Sequence, residues 1–381
     1  DWPTEELGQQ FASYSPEKIR SDIERVQAEL ESGSFEDAKE NWLERLRTDE
    51  EAVRAVNDLD NAIKRNRGAV PQESYSTFRS ALRVAQVWIT TAQAAQAIPL
   101  EPELFDIVVI DEASQCTLTN LLPLMFRGRT LAVIGDEHQL PAIPTIRANE
   151  EAALAKKHNV EEHLQLLGHA ENDVYKTAVE SLPRRRADVV MLAEHFRSHP
   201  QIIGFSNRHI YLQQLKLKKN PDQGSAKPVA SGIYREHVLG QAGRGPDDRS
   251  WQNRAEAAAV VEKIRELRQG NGRSMSLGVV TPFAAQKDLL RNLLQKEGLV
   301  SDVLIDTAYG FQGDEKDVIL FSPVVAKGIT SGASRWVESP PNLINVALTR
   351  AREALYVICD FDYCKQQDGI LRKLAVYCDE I

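Results

Sequence analysis

Phe105-Asp106-Ile107-Val108-Val109-Ile110-Asp111-Glu112-Ala113-Ser114-Gln115 is a short apolar run that stops on two carboxylates. Its length and its Val and Ile content predict a strand. Such a run, apolar throughout, belongs inside a parallel sheet. In these sheets ligands gather beyond the carboxyl ends of the strands, where Asp111 and Glu112 fall. A carboxylate at such a tip can hold Mg²⁺ through its water shell, and its neighbour can orient an attacking water. Taken alone, the pattern equally fits an ordinary acidic turn.

A second stretch follows: Leu131-Ala132-Val133-Ile134-Gly135-Asp136-Glu137-His138-Gln139-Leu140-Pro141. It predicts a strand over Thr130 to Ile134, then a Gly-Asp turn with a glutamine just past it. An uncharged amide there can donate to a γ-phosphate or a lytic water. A strand, a turn and a proline stop explain any two of these residues, but not the whole string.

Working outward, Val84 to Thr90 predicts a further strand, and residues 147–185 are polar and helical. Val189 to Leu192 opens a new block. Residues 218–250 read as loops and short strands. Periodicity then predicts a helix over 253–268, strand 276–280, helix 284–296, strands 302–305 and 317–322, helix 342–351 and strand 354–359. This is a second α/β domain. Towards the N-terminus, residues 16–67 carry helical stripes: Ile19, Ile23, Val26 and Leu30, then Ala38, Trp42 and Leu46, then Val53, Val56, Leu59 and Ile63. They predict a helical stalk or hairpin within 1–83.

The 381 residues suffice for two buried cores, and 42% hydrophobic with 27% charged residues is a soluble globular balance. Nowhere is there an apolar run of membrane-spanning length. Cys116, Cys359, Cys364 and Cys378 form no zinc-type spacing and fit a reducing cytosol, so a cytoplasmic protein is expected, nucleoid association included. The net charge of −9 argues mildly against a nucleic-acid partner, yet positive charge is clustered at Arg184 to Arg186 and Lys216 to Lys219. Either run is also what a solvated surface looks like.

With both strings in view, Asp111-Glu112-Ala113-Ser114-Gln115 and Gly135-Asp136-x-x-Gln139-Leu140-Pro141 resemble motifs II and III of the superfamily 1 helicases. The resemblance is to the 5′-to-3′ branch containing the nonsense-mediated-decay helicase. Further motifs appear in order. Phe196-Arg197-Ser198-His199-Pro200 resembles motif IV, and Thr281-Pro282-Phe283 the nucleic-acid-contacting segment after it. Asp306-Thr307-Ala308-Tyr309-Gly310-Phe311-Gln312-Gly313-Asp314-Glu315 resembles motif V, and Asn345 to Arg352 motif VI. Upstream, Ile89-Thr90-Thr91 resembles the strand-end threonines that touch a nucleic-acid backbone.

The resemblance implies an α/β fold of two RecA-like P-loop NTPase domains, at 84–186 and 187–381, the first incomplete. It also implies an ATP-dependent helicase or translocase using Mg²⁺ on single-stranded DNA or RNA. Asp111, Glu112, Gln139, Arg197 and Arg350 would be catalytic, with Asp111 the magnesium residue. Gly135, Asp136, Gln312, Gly313 and Glu315 would serve the nucleotide, Glu315 near its ribose. Thr90, Thr91, Thr281, Pro282, Phe283 and Thr307 would meet the nucleic acid. Phe283 could stack on a base or pack between strand and helix. Tyr309 stands where relatives often carry histidine. With acids on one domain and arginines on the other, hydrolysis would depend on closure.

Such an engine also needs G-x-x-x-x-G-K-[ST] to hold the phosphates. None of the 21 glycines is followed by lysine. The chain also starts without methionine, so an N-terminal segment is expected beyond residue 1, and this stretch alone is expected to hydrolyse ATP poorly. Two other classes stay in view: a non-catalytic nucleic-acid or partner-binding switch, and a nuclease using Asp111 and Glu112. The nuclease reading lacks a supporting lysine within 105–141.

Overall fold

The computed structural model describes residues 40, 44, 48–65, 70, 74–82, 87–182, 189–219, 230–270 and 274–381. The expected helical stripes between residues 16 and 46 fall almost entirely outside these, as do Arg184 to Arg186. The chain divides into two compact units, Asp1–Gly135 with Ala142–Val190, and Asp136–Pro141 with Met191–Ile381.

In the first unit, helices α1 (Glu50–Arg65) and α2 (Tyr75–Leu82) pack together over Leu59, Phe78 and Ala81. Acidic Glu50 and Glu51 open α1 and basic Lys64 and Arg65 close it, as the helix dipole favours. Strand β1 (Phe105–Ile110) pairs in parallel with β2 (Gly128–Val133), joined by helix α3 (Leu118–Phe126). Val108 and Ile110 pack with Leu118, Leu121 and Val174, whereas Ile107 and Val109 on the opposite face are 59% and 60% exposed. Helices α4 (Ala148–His158) and α5 (Val174–Ser181) follow. The strand expected at Val84 to Thr90 is not formed over its described part, Val87–Thr90. Val87 and Ile89 point into solvent there, with no cover among the described residues.

The second unit is built on an all-parallel sheet of β3 (Gly232–His237), β4 (Leu277–Thr281), β5 (Val303–Thr307), β6 (Lys316–Phe321) and β7 (Ala351–Cys359). The spatial order is β3-β7-β6-β4-β5. Alternate residues feed two cores. Leu277, Val279, Val318 and Leu320 meet helices α7 (Arg254–Gln269) and α8 (Ala284–Lys296). Val280, Ile319, Phe321 and Leu355 meet α6 (Pro200–His209), α9 (Ser331–Glu338), α10 (Asn342–Thr349) and α11 (Ile370–Glu380). A sheet covered on both faces needs strands apolar on both faces, which is why Val318–Phe321 is an unbroken apolar run. Strand β3 lies in the stretch read as loops and short strands. As an edge strand it is poorly covered, with Ile233 and Tyr234 only half-buried and Arg235 exposed, and so carries a weak signal.

Beneath the ends of β4 and β6 lies a buried polar cluster. Asn253 caps α7 by accepting from Ala255 N and Glu256 N. The fully buried Glu256 accepts from Ser322 Oγ (2.7 Å), Val324 N (2.9 Å) and Asn253 Nδ2 (3.0 Å). Burial nonetheless pushes its carboxyl up to about 7.

Candidate nucleotide and nucleic-acid residues

At the end of β1, Asp111 is exposed and its Oδ1 accepts the Glu112 N–H at 2.9 Å. Glu112 adopts a left-handed backbone (φ 52°), unusual for a side chain bearing Cβ and costing on the order of 1 kcal/mol. That turn directs Ala113 N to Ile134 O at 2.8 Å, tying the end of β1 to the end of β2. Gln115 Nε2 holds Glu112 Oε2 at 2.9 Å. Gly135 is required by packing, since a Cβ there would stand 2.7 Å from the Tyr175 ring. Thr91 Oγ1 accepts from Ala94 N at 3.1 Å and opens a short 3₁₀ turn; Thr90 and Thr91 are both exposed.

The segment Asp136–Pro141 belongs to the second unit, and the bonds that hold it there are specific. Asn342 Nδ2, at the start of α10, donates to Glu137 O (2.9 Å) and Gln139 O (2.5 Å). Asn345 Nδ2 donates to His138 O (2.9 Å) and to the Tyr211 hydroxyl oxygen (3.0 Å). Gln312 Nε2 donates to Leu140 O at 3.2 Å, and the Leu140 side chain is sunk in the core. Tyr211 Oη donates to Asp136 Oδ2 at 2.6 Å, and Gln139 Nε2 to the same oxygen at 3.3 Å. Gln312 therefore binds protein backbone, and Gly313 (φ +80°) makes the tight turn beside it.

Arg197 pairs with Glu315 through its Nε at 2.6 Å, and Arg352 reaches Glu315 at 3.4 Å and Asp317 at 2.8 Å. A phosphate oxygen would have to compete with Glu315 for the Arg197 guanidinium, and Glu315 itself is occupied by arginines. Although burial acts to raise the Asp317 carboxyl, the Ser276 N–H and hydroxyl, with Arg352, hold it below its ordinary value. His195 is pushed down to about 4, by burial first and then by Arg197 and Lys219. The neutral ring accepts Ser198 N–H at 3.0 Å and shapes the Phe196–Pro200 turn. Arg350, at the end of α10, is 3% exposed, with Nε on Val346 O at 3.2 Å.

Other expected residues sit differently. Thr281 is fully buried, and Phe283 is 7% exposed with its ring 5.3 Å from Trp336. Of the two readings of Phe283, the core-packing one describes its position; base stacking is corrected by its burial. Pro282 is likewise buried. Thr307 Oγ1 accepts from Gly310 N at 3.3 Å. The basic run is partly structural: Lys219 Nζ bonds Arg197 O, Arg352 O and Glu353 Oε1 at 2.7–2.9 Å. The sequence took Lys219 only as part of a basic run, and gave no role to His195, Tyr211 or Asn342. Only Asn342 left a trace, as a polar position opening the apolar helix before motif VI.

An all-parallel sheet sandwiched by helices, with polar turns at its strand ends, defines an α/β nucleoside-triphosphatase fold. Two family models, each described as an AAA domain, match residues 7–146 and 174–362. The uncharacterized ATP-dependent helicase MG140 of Mycoplasma genitalium is 27% identical over 288 residues, covering 70% of this chain and 24% of that protein. Helicase SEN1 of Saccharomyces cerevisiae is 27% identical over 269 residues, covering 67% and 11%. The DNA polymerase alpha-associated DNA helicase A of the same yeast is 24% identical over 400 residues, covering 95% and 53%. Among solved structures, an arterivirus nonstructural protein 10 (helicase) complex with DNA aligns at 15% identity and a TM-score of 0.32, covering 70% and 42%.

The chain belongs to the superfamily 1 helicases, in the branch of the nonsense-mediated-decay helicase. It spans about a quarter or less of the length of MG140 and SEN1.

Proposed function

We propose that the full-length protein is an ATP-driven translocase that separates strands of DNA or RNA while moving along a single strand. The family supports this reading, and one observation carries it: Gln139 is built into the same unit as Arg197 and Arg350. Asp136, which holds the Gln139 amide, and Arg350 are both charged neighbours of the Tyr211 hydroxyl. In this reading the Gln139 amide addresses the γ-phosphate, and Arg197 and Arg350 neutralise charge as it leaves. Glu112 orients the attacking water, and the second unit's turn at Gln312-Gly313 with Glu315 borders the nucleotide. Gly135 and Asp136 act by fixing the approach of the Gln139 segment.

Asp111 fits a hydrated Mg²⁺ held through water. It is an exposed carboxylate at a strand end, and among the described residues no group of three or more metal-ligating side chains offers a directly bound site. The ion would supply charge neutralisation on the triphosphate. Thr90, Thr91 and Thr307 are the candidates for the strand backbone. Thr281, Pro282 and Phe283 contribute by shaping the end of β4. The cytosol is the proposed compartment.

The test is ATP hydrolysis and strand displacement by the full-length protein, on matched DNA and RNA duplexes with either overhang. Hydrolysis stimulated by a single strand, and lost in Glu112→Gln, is the expected result. A wild-type protein with no stimulated hydrolysis on any substrate contradicts the reading.

A further inference from the structure

Nothing in the pattern of motifs gives a role to Tyr211, which follows the last turn of α6 at Ile210. Its hydroxyl has a well-defined setting. It donates to Asp136 Oδ2 at 2.6 Å, a short bond to a charged acceptor, and it accepts from Asn345 Nδ2 at 3.0 Å. The His138 ring stands edge-on to the phenol at 4.9 Å and 88°. Burial, and then the Asp136 charge, push the phenol far above its ordinary range, so it remains a donor.

Asp136 is the node. Its Oδ1 accepts His138 N–H at 2.9 Å, while its Oδ2 takes both the Tyr211 hydroxyl and the Gln139 amide. Gln139 Oε1 is buried and has no hydrogen-bond partner among the described residues. Among the described residues, the side-chain bond that orients the Gln139 amide therefore runs to Asp136. The rotamer of Asp136 is in turn set by Tyr211. Removing the phenol oxygen leaves the ring packing intact but frees the carboxylate to turn towards other donors, and the amide turns with it.

We propose that Tyr211 is a positioning residue for ATP hydrolysis, acting on Gln139 through the carboxylate of Asp136. This deepens the reading of Gln139 given above and rests on it. The expected signature is a loss in turnover without a loss in nucleotide binding, because the amide is displaced and no contact to the nucleotide is removed.

The experiment uses the full-length protein with Mg²⁺-ATP and a single-stranded oligonucleotide, comparing wild type, Gln139→Ala, Tyr211→Phe and the double variant. Tyr211→Phe is expected to lower kcat about tenfold with KM for ATP within roughly twofold of wild type. It is expected to add little to the loss already present in Gln139→Ala, since both act through one amide. A merely structural tyrosine would give losses that multiply. Tyr211→Phe with wild-type kcat, or multiplicative losses in the double variant, overturns the proposal. Normal hydrolysis by Gln139→Ala overturns the reading of Gln139, and the proposal with it. Absence of hydrolysis in the wild type overturns the proposed function itself. Should Tyr211→Phe lose its cooperative melt, Asp136→Asn takes its place. It keeps the size of the side chain, weakens both bonds, and must show the same non-additivity with Gln139→Ala.

Discussion

The strand β1 in the first unit and the strand β6 in the second read almost alike as sequence, each an apolar run with acids close by. Their surroundings differ sharply. Ile319 and Phe321 of β6 fill one core, and Val318 and Leu320 fill the other. In β1, Val108 and Ile110 pack inward while Ile107 and Val109 face solvent. Parallel strands are stable when both faces are covered, and among the described residues nothing covers the outer face of the β1–β2 pair. An apolar run therefore tells how a strand is meant to be buried, while burial itself depends on which neighbours are present.

The sharpest way to break this comparison is to truncate side chains on both sheets of this 381-residue chain and follow denaturant unfolding. Phe321→Ala is expected to cost about 3–5 kcal/mol, as for large core cavities. Val109→Thr is expected to stay within roughly 0.5 kcal/mol, as for a surface position. Equal costs would show that β1 is as well buried as β6.

A second substitution asks what holds the first unit together without a full sheet. Arg127 is buried and donates to Pro99 O (2.8 Å), Ile98 O (2.6 Å) and Pro123 O (2.5 Å). It pins the loop before β1 to the end of α3. Arg127→Ala orphans those carbonyls and is expected to cost about 2–3 kcal/mol, with the first unit melting before the second. A single unchanged transition would contradict this.

The smallest effect concerns Glu256 in the second unit. Its carboxyl is raised in the fold, from 4.5 to about 7. Its stabilising protonated form is fully present below the unfolded value and is lost as pH rises through the folded one. Stability of the wild type should therefore fall between about pH 4.5 and 7. Glu256→Gln does not titrate, so its deficit against wild type should shrink across that window. A constant difference in melting temperature from pH 5 to 8 would show that the three donors around Glu256 cancel the effect of burial.

Much of this molecule was legible in the residues, for physical reasons. Helices α7 and α8 and strands β4 to β7 announce themselves because both sheet faces are covered, so periodicity and burial coincide. Strand β3 did not, because at the sheet edge Ile233 and Tyr234 are only half-buried and Arg235 is exposed, so no apolar run marks it. The expected strand through Val87 and Ile89 failed for the opposite reason: its pattern is right, but no strand among the described residues lies beside it. At the site, bonds from side chains to the chain's own backbone were invisible. Asn342, Lys219 and Gln312 bind carbonyls that folding brings close from distant positions, and sequence spacing carries no record of that. Phe283 was ambiguous because an aromatic at a strand end serves packing and stacking equally well, and its contact with Trp336 decides for packing.

The proposal on which the rest depends is that Arg350 neutralises charge on the departing phosphoryl group. It is tested most directly by single-strand-stimulated ATP hydrolysis of the full-length Arg350→Ala variant, with its melting temperature measured in parallel. A loss of roughly 10³-fold or more in kcat with a native-like melt is the predicted result. Hydrolysis at the wild-type rate would contradict it.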